Sequence, residues 1–341
     1  MGPRIRRRAF IAASGTTGIA AFAGCIGEDA EDQEDDQEGG DDGGGGDIGE
    51  ADPDADGQIL SWHAGGTSGT YYPLSGDFKA IVEEHTPHGL QVQSTGASVE
   101  NVGSLSREDA HFALIQNDIA HFAATGTGID EFEGEEVSNL RGVATLYPET
   151  IHIVTQSGSD IESIDDLEGA SVNTGDLGSG TQVNALQILD TAGIGSGDFT
   201  EQNADFETAA DQLRDGDVDA SFVVGGWPVG SVEELATTDD ISLIELPSDL
   251  SEEIQSEAEW FASDTVPAGT YDGIDEDVET VSVQAMIATH DGVDEDIVEE
   301  VTTAIFDNTD DIGQKSDFID ADSAQDAMPI DLHAGAQRYF E

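Results

Sequence analysis

The sequence predicts an α/β protein of two lobes facing each other across a cleft. Three observations lead there. From Gln58 onward, short apolar runs alternate with helically spaced segments. A glycine-rich turn, Gly65–Thr70, follows the first apolar run, Ile59–Ala64. A second such turn, Gly175–Thr181, follows a later run, Ala170–Asn173, and again leads into a helical pattern.

The elements follow in order. Pro73–His85 has helical spacing at Leu74, Phe78, Ile81 and Val82. Leu90–Ser94 reads as a strand, Ser98–Ser106 as a short helix, Ala110–Ile115 as a buried strand and Ile119–Thr125 as a helix. Leu140–Leu146 and Ile151–Thr155 read as two strands. The plan then repeats: a helical turn at Asp165–Gly169, the strand Ala170–Asn173, and helices at Gln182–Gly193 and Glu207–Asp215. Val218–Val224 and Ile241–Leu246 are strands, with Gly225–Pro228 opening a helix between them. Val281–Thr289 is a late strand, expected beside Ile151–Thr155, and Asp294–Asn308 is an amphipathic helix. Strands separated by helices of this length imply parallel βαβ units.

Composition sets the setting. The chain has 341 residues, with 74 acidic against 10 basic ones and a formal net charge of −64. That charge repels phosphates and excludes nucleic acid as a partner class. Hydrophobic residues still make up 37% and recur in patterned runs, so the acidity is not that of a disordered chain. An acidic, lysine-poor yet patterned sequence suits molar salt, where the Debye length is about 3 Å and self-repulsion is screened.

Residues 1–25 read as an export signal: Arg6-Arg7-Arg8, a mildly apolar Gly/Ala/Thr-rich run, then Phe22-Ala23-Gly24-Cys25. Small residues before Cys25 suggest lipidation of that cysteine, with an uncleaved anchor or an unmodified signal as alternatives. Cys25 is the only cysteine, so no intramolecular disulfide forms. Residues 26–57, rich in Asp, Glu and Gly, read as a disordered tether. The folded body is divided into a first lobe at 58–147 with 258–341 and a second lobe at 148–257.

The glycine-rich turns lack the Gly-Lys-Ser/Thr end of a phosphate loop and the full G-x-G-x-x-G spacing. Neither G-x-S-x-G nor H-E-x-x-H occurs, and the eight histidines are scattered, so no catalytic residue, metal site or cofactor is assigned. An enzyme remains open only without a recognisable motif. Helix N-termini reached through glycine and lined by Ser/Thr hydroxyls suit capture of a carboxylate without an arginine. Tight turns with no ligand role are the alternative reading.

Seven segments together carry a family likeness: GGTSGTYYPL (Gly65–Leu74), STGASVENV (Ser94–Val102), ALIQND (Ala113–Asp118), NLRGVATLYPETIHIV (Asn139–Val154), DLEGASVNTGDLGSGT (Asp166–Thr181), DGDVDASFVVGGWP (Asp215–Pro228) and VPAGTYDGID (Val266–Asp275). The chain resembles the TAXI class of extracytoplasmic solute receptors of TRAP transporters. The resemblance implies a two-lobed type II periplasmic-binding-protein fold, each lobe a mainly parallel sheet flanked by helices, with a hinged cleft. It implies capture of a small organic acid or amino acid, glutamate-like or a dicarboxylate, and delivery to a TRAP membrane permease driven by an ion gradient. With the export signal it implies an extracytoplasmic, lipid-anchored position at the cell membrane. A receptor for an ATP-driven importer, an extracytoplasmic enzyme and a sensory module are the alternatives. Carried onto this sequence, the ligand residues are Gly69, Thr70, Tyr71, Ser98, Asn101, Gln116, Tyr147, Ser179, Gly180, Thr181 and Trp227. Asp118 reads as a helix cap and Glu100 as solvated. Ala97 departs from the family, which usually has a glycine there.

Overall fold

The computed structural model describes residues 48–341. The expected export signal with Cys25, and the tether as far as residue 47, lie outside the described residues. The strands are β1 (Ile59–His63), β2 (Gly89–Gln93), β3 (Phe112–Gln116), β4 (Leu140–Gln156), β5 (Ser171–Asn173), β6 (Thr200–Gln202), β7 (Ala220–Gly225), β8 (Ile241–Leu243), β9 (Ala262–Val266) and β10 (Val278–His290). The helices are α1 (Tyr71–His85), α2 (Ser98–Ser106), α3 (Asn117–Thr125), α4 (Gly180–Thr191), α5 (Phe206–Asp215), α6 (Gly230–Thr238), α7 (Ser248–Glu257), α8 (Glu295–Asp307) and α9 (Ala334–Phe340).

Local chemistry explains many of these. On α1, Leu74, Phe78, Ile81 and Val82 recur on one face and are all buried. The α5 helix starts where the Asp205 side chain accepts from Thr208 N and ends at Gly216, whose φ of +75° suits a residue without a Cβ. In β3 all five residues are buried, because both faces are covered. No helix among the described residues is long and apolar enough to cross a membrane.

The strands join in the order β2-β1-β3-β10-β4-β7-β5-β6, with β8 added on β4 and β9 on β10. Parallel pairs link β1 to β2 and β3, and β5 to β6 and β7. The centre departs from the parallel expectation: β10 is antiparallel to β3, β4 and β9, and β4 is antiparallel to β7 and β8.

Four cores flank this sheet, two on each half. Leu114 and Ile287 face a core with Trp62, Phe78 and Val301. Their neighbours Ile115 and Met286 face the opposite core, with Leu105 and Phe122. In the second half, Phe222 faces Leu189 and Ile254, while Val223 faces Leu235 and Tyr271. Each lobe is therefore a helix–sheet–helix sandwich, with alternate strand residues feeding alternate cores.

Three expectations are corrected. The two strands expected around Pro148 are a single strand, β4. Its register against β10 shifts between Gln284 and Met286, opposite Pro148 and Thr145. A bulge there lets a residue without an N–H sit in a continuing strand. The late strand does not lie beside Ile151–Thr155, which pairs with β7; β10 pairs instead with the Leu140–Thr150 part of β4. The second lobe does not end at 257. Ala258, Phe261, Val266, Tyr271, Val281 and Val283 all pack in the second-lobe cores, whereas Ala285 and Ile287 pack in the first. The chain thus returns to the first lobe within β10. Sequence reading also missed β6, β9, α7 and α9, which are short or carry few apolar residues.

Candidate functional site

The first glycine-rich turn joins β1 to α1. Gly65 is held by its carbonyl, which accepts from Ser94 Oγ at 3.0 Å. It lies close under Tyr71, whose Cδ2 would be 3.3 Å from a Cβ at Gly65. Thr70 is the N-cap of α1 but does not cap with its side chain; the hydroxyl instead donates to the Gly226 carbonyl of the second lobe at 3.4 Å.

The second turn joins β5 to α4. Gly175 and Gly178 have φ of +101° and +75°, which glycine adopts without strain. Asn173 Oδ1 accepts from Gly175 N, and Asn203 Nδ2 donates to Gly175 O, so the turn is tied from below. Ser179 caps α4 by accepting from Gln182 N at 3.1 Å, while Gln182 Oε1 accepts from Gly178 N. The Gly180 and Thr181 amides then open the helix.

Between these turns lies a cavity of ≈ 320 Å³, at the small end of the range for ligand sites, roughly 300–1,000 Å³. Eight of the eleven expected residues line it: Gly69, Thr70, Tyr71, Ser98, Gln116, Ser179, Gly180 and Thr181. They come from both lobes, and the walls touch. A Cβ at Gly180 would stand 1.6 Å from Gln116 Oε1.

Three expected residues sit elsewhere. Asn101 is fully buried behind the wall, and its Nδ2 is committed to the Ala64 and Leu114 carbonyls at 2.6 and 2.8 Å. It positions the first turn and the end of β3. Tyr147 is buried in the first-lobe core, with its hydroxyl unpartnered. Trp227 lines a separate groove beyond the Gly66–Thr70 turn and packs edge-on against Phe318. Beside it, Lys315 Nζ donates to the Trp227 carbonyl at 2.6 Å, and burial lowers this lysine to about 8.

Sequence reading missed Glu149. It lines the cavity, is 3% exposed, and has no hydrogen-bond partner for Oε1. Burial raises its carboxyl to about 8. The signal was a lone acid inside the apolar run Leu140–Val154. Asp118 was read as a cap, but Gln116 holds the N-cap position of α3. Asp118 lies in the first turn, fully buried, and accepts from Asn184 Nδ2 of α4 at 2.7 Å. Burial raises Asp118 to about 7. This bond ties the lobes together behind the cavity. Burial also moves the Tyr71 and Tyr147 phenols well above their ordinary range, so both stay neutral donors. Glu100 is exposed and accepts from Gly96 N at 2.7 Å. Among the described residues no basic side chain lines the cavity, and no group of three His, Cys, Asp or Glu side chains is placed to hold a metal.

Residues 63–341 match the NMT1-like family over most of the chain. The chain belongs to the NMT1-like family. A solved protein of Bordetella bronchiseptica RB50 shares the fold with a TM-score of 0.53 at 14% identity, over 82% of each chain. An ancestral arginine-binding protein bound to arginine superposes at 0.46, with 13% identity over 76% of this chain and 96% of that one. The alkanesulfonate-binding protein SsuA from Xanthomonas axonopodis pv. citri, bound to MOPS, superposes at 0.45, with 13% identity over 83% of each. The fold of this NMT1-like protein is a mixed α/β fold shared with the Bordetella protein, with helices flanking a mixed sheet.

One wall residue of the NMT1-like chain is strained. Ala97, at the start of α2, has φ +66° and ψ −140°, a conformation that disfavours a Cβ. Ala97→Gly is expected to stabilise the protein by about 0.5–1 kcal/mol, relief of strain outweighing the glycine's extra unfolded-state entropy. Denaturant unfolding in molar KCl measures this, and a loss of stability would refute the strain.

Proposed function

We propose that this protein is an extracytoplasmic solute receptor of the TAXI type. It captures a small carboxylate or amino acid between its lobes and passes it to an ion-gradient-driven TRAP permease. The observation that carries the reading is the cavity itself: two glycine-rich turns from opposite lobes converge on it, and it is lined by the polar side chains of Thr70, Ser98, Gln116, Ser179 and Thr181. The starts of α1 and α4 offer backbone amides and partial positive charge to a carboxylate. Gly69, Thr70, Tyr71, Ser98, Gln116, Ser179, Gly180 and Thr181 are the proposed contacts. Tyr147 and Asn101 support them from behind, and Trp227 shapes the neighbouring groove. The hinge consists of β4 and β10, which among the described strands alone run through the cores of both lobes. The arginine-rich N-terminus, lipidated Cys25 and acidic tether would hold the receptor at the outer face of the cell membrane, and the sequence suits molar salt.

A screen of amino acids and carboxylates by thermal unfolding in molar KCl tests this. At one hundred times Kd a ligand adds about 2.7 kcal/mol of stability. No stabilisation by any of them, in folded protein shown by native mass spectrometry to carry no metabolite, would refute solute binding. The same cleft would serve an ATP-driven importer. Uptake in cells that collapses with the ion gradient but survives ATP depletion supports the TRAP assignment; the reverse pattern assigns the importer.

A further inference from the structure

We propose that Glu201 is the positioning residue of the second glycine-rich turn: its carboxylate gathers three side-chain donors that hold both ends of Gly175–Gly178, and so sets the Ser179–Thr181 wall against the solute. This rests on the solute-binding reading and deepens it, since it gives a residue outside the cavity control over the fit.

The turn needs outside support. Gly175 and Gly178 hold φ of +101° and +75° and bring no side chain that could pack. Between them Leu177 is 70% exposed, so no apolar contact pins the tip. Yet the same stretch supplies Asp176, Ser179, Gly180 and Thr181 to the cavity lining. A wall displaced by about 0.5 Å spoils the fit of a small site.

Hydrogen bonds supply that support. Glu201 lies on β6, at the end of the sheet. Its Oε1 accepts from Thr174 Oγ1 at 2.8 Å, Gln182 Nε2 at 3.0 Å and Asn203 Nδ2 at 3.3 Å. Each donor carries the restraint onward. Gln182 turns its own Oε1 to Gly178 N at 3.0 Å, and its backbone N–H donates to Ser179 Oγ. Asn203 Nδ2 also reaches Gly175 O at 3.1 Å and Thr174 Oγ1 at 3.0 Å. Thr174 directly precedes the turn and is fully buried. One carboxylate oxygen therefore governs both ends of the turn and the residue that caps α4.

A carboxylate suits this place. Three donors converge on one oxygen, and hydrogen bonds to an ionised acceptor are about twice as strong as neutral ones. Partial burial by itself would raise this carboxyl, but the bonds from Gln182, Thr174 and Asn203 outweigh it and hold the group below its ordinary value, so it stays ionised. Glu201 remains on the surface and outside the cavity lining, so it acts on a solute only through the turn.

Two measurements in molar KCl test this. Hydrogen exchange of the ligand-free protein reads the turn directly: in Glu201→Ala, residues 174–182 should exchange about tenfold faster, while the Gly65–Thr70 turn is unchanged. Calorimetry with L-glutamate and succinate should show about tenfold weaker binding of whichever the wild type takes, with global unfolding little altered. Asn203→Ala leaves the charge in place and should weaken binding to a similar extent. Glu201→Gln keeps an oxygen that accepts and should stay within about threefold of the wild type. Unchanged exchange in Glu201→Ala, or lost global stability with unchanged affinity, would overturn the assignment. So would tighter binding in Glu201→Ala, because the charge would then act on the solute itself. Failure of both compounds on the wild type would count against the solute-binding reading alone, and the exchange result would still decide whether Glu201 holds the turn.

Discussion

Gly180→Ala is expected to weaken binding of whichever amino acid or carboxylate stabilises the wild type by about tenfold to a hundredfold, or 1.4–2.8 kcal/mol, without destabilising the fold. The new methyl would stand 1.6 Å from Gln116 Oε1 and 2.4 Å from Cδ, so the amide must swing away or the lobes must part. Both outcomes remove the fit around the ligand. Locally the change is benign, because Gly180 opens α4 without a left-handed φ, and alanine is the better helix former by about 1 kcal/mol. Isothermal titration and denaturant unfolding on one preparation separate the effects. Unchanged affinity would show that the Gly180–Gln116 contact plays no part in closure. Lost stability would show that Gly180 is needed for folding.

The second large effect is a dependence of stability on pH opposite in sign to the usual one for carboxylates. Glu149 and Asp118 have ordinary values of 4.5 and 3.8 but stand near 8 and 7 in the folded protein, burial being the main cause. The native state thus keeps protons that the unfolded chain has already lost. The slope of unfolding free energy with pH is then negative. Stability from these two groups is whole below about pH 4, declines as pH rises through 7 and 8, and is flat above. The loss is on the order of a few kcal/mol for each group. The many surface acids titrate at the same time, so the informative quantity is a difference. Wild type and the Glu149→Gln, Asp118→Asn double variant, both ligand-free in molar KCl, are unfolded at pH 5 and pH 8.5. The variant should gain on the wild type as pH rises. The amide that replaces the Asp118 carboxyl can still accept from Asn184, and neither new side chain ionises. An equal change in both proteins would mean that the two carboxyls ionise at ordinary values and that water reaches them.

Behind both predictions lie contacts between residues far apart in sequence. Gly180 meets Gln116, and Asp118 meets Asn184. No local pattern reveals such pairs, because periodicity reports only which face of an element is covered. Asn101 shows the same limit. It stands in STGASVENV one helical turn from Ser98, and both are expected ligand residues. Ser98 does line the cavity, but Asn101 turns inward to bind the Ala64 and Leu114 carbonyls.

What the sequence determined by itself is local. The apolar spacing of α1, the Asp205 and Ser179 caps, the glycines of the two turns and the apolar run of β3 define the elements. They also place two helix starts where an anion can approach, since propensity, capping and turn chemistry act over a few residues. Only the tertiary structure decided the rest. It made Leu140–Gln156 one strand through a bulge at Pro148, and it returned the chain to the first lobe within β10 rather than at residue 258. It also buried Glu149 at the cavity. An acid among 74 carries no message in sequence. Enclosed beside Tyr147 and Gln116, it becomes an informative group in the site, because desolvation depends on what surrounds a charge in space and not on its neighbours along the chain.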